Sequence, residues 1–271
     1  MTIEDAIIYG KKYISSVDAK MIISMLTSYD SLDLINHLHD ELSPETEEMY
    51  RNLVGARRNN KPVQYITHST NFYGLELYVD ESVLIPRFET EELVENTIKL
   101  LNIKYDSPKI LDLCCGSGAI AIALKNKLEN ATVTMSDISH DALVVAKANR
   151  DKYNYDIETI ESDLFENITD KYDCIISNPP YIRDDEEIDD MVKDNEPHLA
   201  LYGGVKGLDY YERILKDIKD HLNPIFLIAF EIGADQKDQV IELANKYLDN
   251  IEIIDKKDMQ DRDRMIFIMN K

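Results

Sequence analysis

Residues 109–121 read KILDLCCGSGAIA, a short apolar run followed by a glycine-containing turn and a helix-like stretch. Gly116 and Gly118 allow the backbone to turn sharply and to approach a ligand closely. A helix that starts behind such a turn presents unpaired N–H groups and the positive end of its dipole. The segment therefore predicts a strand, a turn and a helix, with a ligand bound beyond the end of the strand.

The same alternation continues along the chain after Glu89. The apolar runs are KILDLCC, ATVTMSD, IETIES, YDCIIS and PIFLIAFEIG, and helix-like stretches separate them. Strands that alternate with helices imply a mostly parallel sheet in a three-layer α/β arrangement. The final runs, NIEIIDKKD and DRMIFIMN, are too close for a crossover helix and predict an antiparallel hairpin at the edge of the sheet.

The N-terminal part of the chain has a different pattern. From residue 2 to about residue 67, apolar residues recur at helical spacing, and Ser43 and Pro44 mark the start of one helix. Residues 68–86 include alternating, β-rich segments typical of a hairpin. We therefore predict a helical domain at residues 1–67, a β-hairpin connector at residues 68–86 and an α/β domain at residues 87–271.

Composition restricts the class of protein. The chain has 52 acidic and 30 basic residues, a net charge of −22, and such a charge disfavours nucleic acid as a partner. No apolar run approaches the roughly 20 residues of a membrane helix, and the N-terminus is acidic, unlike a signal peptide. Three cysteines without disulfide or zinc spacing fit a reducing compartment, so a soluble cytoplasmic protein without a metal is expected.

Acidic residues follow the next two predicted strands. Asp137 lies about 20 residues after the glycine turn, where a carboxylate can accept hydrogen bonds from ribose hydroxyls. Asp163 could accept from an adenine amino group, and Leu164 could cover the ring. Taken separately, these residues have plainer explanations as a helix cap or a solvated turn. Because ligands bind beyond the carboxyl ends of parallel strands, the combination favours a nucleoside pocket.

The fourth strand ends in SNPPY, residues 177–181. Each proline fixes its own φ and biases the preceding residue towards an extended conformation, so Asn178 and Pro179 are held rigidly. The Asn178 side-chain oxygen and the Pro179 carbonyl could accept both hydrogens of one planar NH2 group, and Tyr181 could stack on its plane. The plainer explanation is that two prolines end a strand.

The glycine turn also fits the dinucleotide pattern G-x-G-x-x-A, which would suit a dehydrogenase. A dehydrogenase needs a proton-transferring side chain near its substrate, and none of the six histidines occupies an obvious site of that kind. A clamp for a planar amino group instead favours transfer of a methyl group to nitrogen.

Several motifs together carry a family resemblance. PVQYI, VLIPRFETEELVE, LDLCCGSGAIAIAL, SDLF, YDCIISNPPYI, EPHLALYGG and EIGADQ occur in that order from about Lys61 to the C-terminus. This set resembles the release factor glutamine methyltransferases, within the S-adenosylmethionine-dependent amino methyltransferases. The helical N-terminal region resembles that family in type more than in motif.

The resemblance implies a seven-stranded, mostly parallel, Rossmann-like methyltransferase sheet and a small helical N-terminal domain that helps to recognise a protein substrate. It implies that S-adenosylmethionine is the donor and S-adenosylhomocysteine the product. The acceptor would be N5 of the glutamine in the Gly-Gly-Gln loop of class-1 peptide chain release factors, the expected partners.

The resemblance also implies roles for individual residues. The donor would be bound by Asp112, Cys114, Cys115, Gly116, Ser117, Gly118, Asp137, Asp163, Leu164 and Asn178. Catalysis would depend on Asn178, Pro179 and Tyr181. The substrate would contact Asn178, Pro179, Pro180, Tyr181, Arg87 and Phe88.

Three features depart from the usual motifs of that family. Cys114 and Cys115 replace a glycine and a threonine, and a cysteine would be strained if its position required a positive φ. Phe88 replaces a proline, and it could line the pocket. Lys206 occupies the position of an acid in the GGxDG motif, which leaves the function of that loop open.

Two other functions remain open from the sequence. A nucleic-acid methyltransferase acting on adenine N6 or guanine N2 could use the same clamp, with the base stacked on Tyr181. It would need a basic groove, which the charge of −22 disfavours. A non-catalytic binding module with the same fold would be distinguished by failure to bind S-adenosylmethionine.

Overall fold

The computed structural model describes all residues from 1 to 271, and the chain forms two compact units. The first contains Met1–Ser69 and Ile188–Asn195, and the second contains Thr70–Glu187 and Glu196–Lys271. The boundaries that we predict from the sequence for the domains stay a prediction.

The helices and strands are as follows in chain order. The helices are α1 (Ile3–Gly10), α2 (Ser16–Thr27), α3 (Ser31–Asn36), α4 (Pro44–Arg58), α5 (Val63–Thr67), α6 (Phe88–Lys104), α7 (Ala119–Lys127), α8 (His140–Lys152), α9 (Asp190–Asn195), α10 (Asp209–Asp217) and α11 (Lys237–Tyr247). The strands are β1 (Thr70–Phe72), β2 (Leu75–Leu77), β3 (Lys109–Leu113), β4 (Thr132–Asp137), β5 (Ile157–Glu161), β6 (Tyr172–Ser177), β7 (Leu222–Glu231), β8 (Ile251–Lys257) and β9 (Asp263–Asn270). Short 3-10 helices occupy His198–Ala200 and Ile218–His221.

The first unit is helical, as predicted. Ser43 caps α4 by accepting a hydrogen bond from the Thr46 N–H, and Pro44 occupies the first turn, where its missing N–H costs nothing. The apolar faces of these helices meet in one core that includes the fully buried Ile22 and Ile23. Helix α9 belongs to this unit, and Asn195 donates a hydrogen bond to the Asn60 carbonyl at 3.0 Å.

The second unit is built on the predicted seven-stranded sheet. Its strand order is β5-β4-β3-β6-β7-β9-β8, and β9 runs antiparallel to both β7 and β8. The central strands are buried on both faces, which explains their nearly continuous apolar sequences. Within residues 68–86, β1 and β2 form an antiparallel pair.

The order in which the chain adds strands to the sheet reverses between β3 and β6. The chain adds β4 and then β5 on one side of β3, and it returns to place β6 on the other side. Such a reversal leaves a crevice beyond the carboxyl ends of the two central strands, because the connections diverge there. The glycine turn follows β3 and SNPPY ends β6, so the topology brings both predicted motifs to this crevice.

No helix of the structure combines the length and apolar character needed to cross a membrane.

Candidate active site

A cleft of about 970 Å³, including the space open to solvent, lies at the carboxyl ends of the central strands. Residues after β3, β4, β5 and β6 all contribute to its walls. The predicted site residues that line it are Arg87, Cys114, Cys115, Gly116, Ser117, Asp137, Asp163, Leu164, Asn178 and Pro180. The predicted residues Phe88, Asp112, Gly118, Pro179 and Tyr181 are not among its lining residues.

The turn after β3 has a left-handed backbone at three of five consecutive residues. The φ angles are +63° at Cys114, +52° at Gly116 and +78° at Gly118. A side chain at Gly118 would meet the Met135 sulfur at 3.2 Å and the Ala146 methyl at 3.3 Å, so the glycine also permits close packing of the turn. Cys114 lies in the wall of the cleft, and its position has the positive φ at which we expected a cysteine in place of a glycine to be strained.

Asp112 lies inside the sheet and not in the cleft. Its side chain is fully buried, and one carboxylate oxygen accepts a hydrogen bond from the Ala121 N–H at 3.0 Å in the first turn of α7. Burial raises the pKa of Asp112 to about 7, because the charged form loses its hydration. The residue braces the start of α7 behind the turn, and the predicted contact with the donor stays a prediction.

Asp137 occupies the end of β4 and faces the cleft. Its two oxygens accept hydrogen bonds from the Gly116 N–H and the Ser139 N–H, each at 2.9 Å. Burial raises its pKa, and the bonds from Ser139 and Gly116 act in the opposite direction. Each carboxylate oxygen has a further lone pair, so the residue can fix the turn and still accept two ligand hydroxyls.

Asp163 and Leu164 follow β5. Arg213 donates a hydrogen bond to Asp163 at 2.8 Å, a partner 50 residues away that sequence reasoning missed. Leu164 has a φ of +50°, and the Ser162 hydroxyl donates to its carbonyl at 2.8 Å. This local bond holds the leucine in a conformation that leucine rarely adopts, with its side chain in the wall of the cleft.

Asn178 extends from the end of β6 into the cleft. Its Nδ2 donates a hydrogen bond to Thr90 Oγ1 at 3.2 Å, and Thr90 Oγ1 donates to Glu231 Oε2 at 2.6 Å. The side-chain oxygen of Asn178 can therefore accept hydrogen bonds from a ligand. The sequence offered little signal for Thr90 or Glu231, because a threonine in a first helical turn and a glutamate at a strand end are ordinary.

Tyr181 is held against the sheet beside the cleft. Its hydroxyl donates to Glu231 Oε1 at 3.4 Å, and burial raises its pKa. The Gln236 side chain donates to the carbonyls of Tyr181 and Gly207 at 2.8 and 3.1 Å. Gly207 has a φ of +68°, and a side chain there would lie 2.1 Å from the Tyr181 carbonyl oxygen. Lys206 is exposed in the adjoining turn.

Arg87 and Phe88 lie at the start of α6. Arg87 Nη2 donates to Glu196 Oε1 at 2.5 Å, and the other oxygen of Glu196 accepts from the Ile85 N–H at 3.2 Å. This buried glutamate joins the segment before α6 to the EPHLA segment, whose residues Pro197, Leu199 and Ala200 line the cleft. Phe88 is 55% exposed and does not line the cleft, contrary to the position suggested for it.

The side chains in the cleft fit a nucleoside. Asp137 offers carboxylate lone pairs for ribose hydroxyls, Leu164 offers an apolar wall, and Cys114, Cys115, Gly116 and Ser117 of the turn after β3 also line the cleft. The structure has no cluster of three or more histidine, cysteine or acidic side chains that could hold a metal ion.

Comparison with known proteins gives matches to both parts of the chain. The family described as "Methyltransferase small domain" matches residues 90–205, and the one described as "PrmC N-terminal domain" matches residues 13–67. The solved structure of the 16S rRNA N2 G1207 methyltransferase of Thermus thermophilus, in complex with AdoMet and guanosine, has a TM-score of 0.54 at 15% identity. The match covers 75% of this chain and 50% of that chain. At that identity the likeness concerns the fold alone.

Curated relatives match over most of their length. The release factor glutamine methyltransferase of Clostridium acetobutylicum is 36% identical, and the match covers 98% of each chain. The protein of the same name from Streptococcus pneumoniae is 41% identical over 87% of this chain and 85% of its own. With this identity across both units, the chain belongs to the release factor glutamine methyltransferase family.

Proposed function

We propose that this chain transfers the methyl group of S-adenosylmethionine to the side-chain nitrogen N5 of a glutamine in a protein substrate. The glutamine is the one in the Gly-Gly-Gln loop of class-1 peptide chain release factors. The observation that carries the proposal is Asn178, whose amide oxygen is available in the same cleft as Asp137.

The donor half of the cleft is formed by the residues after β3, β4 and β5. Asp137 accepts hydrogen bonds from the ribose hydroxyls, Leu164 packs on the adenine, and Asp163 accepts from its amino group. Residues 114–118 surround the methionine part. The bound donor supplies an electrophilic methyl group on a positively charged sulfur, so no metal or covalent nucleophile is needed.

The acceptor half is the SNPPY segment. A carboxamide nitrogen is a poor nucleophile because its lone pair is delocalised into the carbonyl. Asn178 Oδ1 and the Pro179 carbonyl accept the two amide hydrogens and fix the nitrogen, with Tyr181 and Pro180 packed beside it. Orientation of this kind contributes several kcal/mol to the rate. The proton of the methylated amide leaves afterwards to water.

A protein substrate also agrees with the charge of the chain. A net charge of −22 opposes the approach of a polyphosphate backbone, and it does not oppose the approach of a protein with a basic surface. The helical unit at the N-terminus would help to recognise that protein.

The test is to incubate the protein with labelled S-adenosylmethionine and a purified class-1 release factor. We expect label on the intact factor and none on a factor whose loop glutamine is changed to alanine. Equal labelling of both factors would overturn the glutamine assignment. Labelling of DNA or RNA that falls steeply with added salt would favour a nucleic-acid amine instead.

A further inference from the structure

Four side chains, from α6, from the segment after β6 and from the end of β7, form one chain of hydrogen bonds that begins in the wall of the cleft. Asn178 donates to Thr90, Thr90 donates to Glu231 Oε2, and Tyr181 donates to Glu231 Oε1. Thr90 is 4% exposed and Glu231 is 1% exposed, so water does not compete for these bonds. Among these residues the function above uses only Asn178 and Tyr181, and it gives no task to Thr90 or Glu231.

The direction of each bond follows from the number of protons available. An ionised carboxylate only accepts hydrogen bonds, so Glu231 requires a donated proton from Thr90 and another from Tyr181. A threonine hydroxyl has one proton, and once that proton points to Glu231 the oxygen can only accept from Asn178. Asn178 must then direct its NH2 group to Thr90 and its oxygen into the cleft.

We propose that Thr90 and Glu231 are positioning residues that select the orientation of the Asn178 amide, so that its oxygen and not its NH2 group faces the substrate nitrogen. This inference rests on the proposed function, in which Asn178 accepts a hydrogen from the glutamine amide. A carboxamide has two orientations of nearly the same shape, and packing alone does not distinguish them. In the reversed orientation, the NH2 group of Asn178 would face the NH2 group of the substrate, with two donors and no acceptor.

The protonation state of Glu231 decides whether the chain of bonds has this direction. Burial raises the pKa of Glu231 to about 7, while the Thr90 and Tyr181 hydrogen bonds and the charge of Arg264 lower it and the charge of Glu89 raises it. Below that pH the carboxyl group carries a proton that it can donate to Thr90. The threonine proton is then free to turn towards Asn178 and favour the reversed amide.

The first test removes the hydroxyl and keeps the side-chain shape. We expect Thr90→Val to lower kcat by about 10- to 100-fold, because an orienting contact of the clamp is lost, and to change the Kd for S-adenosylmethionine little. Thr90→Ser retains the hydroxyl and should recover most of the activity. The measurements are kcat with the release factor and donor binding by calorimetry.

Thr97→Val is the matched control. Thr97 lies on the same helix, is fully buried, and donates its hydroxyl to the Leu93 carbonyl at 2.7 Å, but it does not line the cleft. It should lose comparable stability with no change in kcat. If Thr90→Val and Thr97→Val have the same kcat, the positioning role is wrong.

The second test is the pH profile, which needs no threonine variant. We expect kcat of the wild type to decline below pH about 7. Glu231→Gln should reduce kcat about tenfold at pH 8, since a glutamine can face Thr90 with either end, and should remove the decline. The same decline in both proteins would exclude Glu231 as its origin and contradict the inference.

Two comparisons separate failure of the inference from failure of the function. If the wild type does not label the loop glutamine, or if Asn178→Ala keeps its activity, the proposed function or its clamp is wrong and the inference falls with it. If labelling occurs and Asn178→Ala is inactive, an unchanged kcat in Thr90→Val overturns only the positioning role.

Discussion

The two halves of the cleft are assembled in different ways. On the donor side, the contacts of Asp137 with Gly116 and Ser139 join residues separated by 21 and 2 positions. On the acceptor side, the bond that Thr90 accepts from Asn178 and the bond that it donates to Glu231 span 88 and 141 positions. The donor half is therefore mainly a local product of consecutive strands and turns, whereas the acceptor half exists only after the sheet and α6 have packed together.

This difference predicts separable losses. Substitutions on the acceptor side should affect turnover, because the residues there orient a nitrogen that binds weakly by itself. Substitutions on the donor side should affect affinity for S-adenosylmethionine and the stability of the turn after β3.

The largest expected effect is that of Asn178→Ala. We expect kcat to fall at least about 100-fold, because an acceptor that orients the amide nitrogen is lost. The Kd for the donor, measured by calorimetry, should change little. Equal losses in donor binding and turnover would contradict the division of the cleft into a donor half and an acceptor half.

Asp137→Ala should have the opposite signature. Loss of hydrogen bonds to a charged group weakens donor binding by about 1.5 to 3 kcal/mol, and turnover at saturating donor should fall much less. Calorimetric titration with S-adenosylmethionine measures the change. An unaltered Kd would remove Asp137 from the donor site.

The pH dependence of stability tests the burial of Asp112 behind the donor side, and it needs no ligand. Its pKa is raised by burial from 3.8 to about 7, so between these values the unfolded chain binds fewer protons than the folded chain. Its contribution to the free energy of unfolding therefore decreases as pH rises through this window, by at most about 1.4 kcal/mol per pH unit. Asp112→Asn keeps an acceptor for the Ala121 N–H and should flatten this part of the dependence.

Urea unfolding at several pH values from 4 to 8 measures that slope for the wild type and the Asp112→Asn variant. Burial also raises the pKa of Glu231 to about 7, so this residue titrates in the same window, and it is present in both proteins. An identical slope in the two proteins would mean that the pKa of Asp112 is the same in the folded and the unfolded chain, and would contradict the rise of that pKa by burial.

The smallest expected effect is that of Cys114→Gly. Glycine relieves the backbone strain at this positive φ, which raises the free energy of unfolding by about 1 to 3 kcal/mol. The greater freedom of glycine in the unfolded chain offsets about 0.5 to 1 kcal/mol of that gain. A net gain of about 1 kcal/mol should appear as a higher midpoint of thermal unfolding. A lower midpoint would show that the cysteine side chain stabilises the turn by more than its strain costs.

The cleft residues that directly follow a strand were easier to predict than the residues that hold those cleft residues in place. Gly116, Asp137, Asp163 and Asn178 follow apolar runs directly, so the rule that ligands bind beyond strand ends was enough to place them at the cleft. Asp112 was assigned to the donor site because it lies in the same motif. Its side chain points from a buried strand towards α7, and a sequence motif does not reveal which face of the sheet a residue occupies.

The sequence also does not reveal whether a charged or aromatic side chain is buried or exposed, as Phe88, Glu196 and Glu231 show. Phe88 follows Arg87 directly, yet the turn into α6 directs Arg87 to the buried Glu196 and leaves Phe88 exposed. Glu231 ends an apolar strand, where a carboxylate would ordinarily face solvent. Only its three-dimensional neighbours, Thr90 and Tyr181, provide the hydrogen bonds that allow it to be buried.

The sequence by itself determined the alternation of strands and helices, the glycine turn and the rigid SNPPY segment, because these depend on local backbone preference and hydrophobic period. The tertiary structure alone decided the strand order, the left-handed backbone at Cys114 and Leu164, and the bonds that orient Asn178. The strand order and the bonds that orient Asn178 arise from contacts between residues far apart in the chain, and the left-handed residues are held by specific hydrogen bonds and packing that backbone preference does not predict.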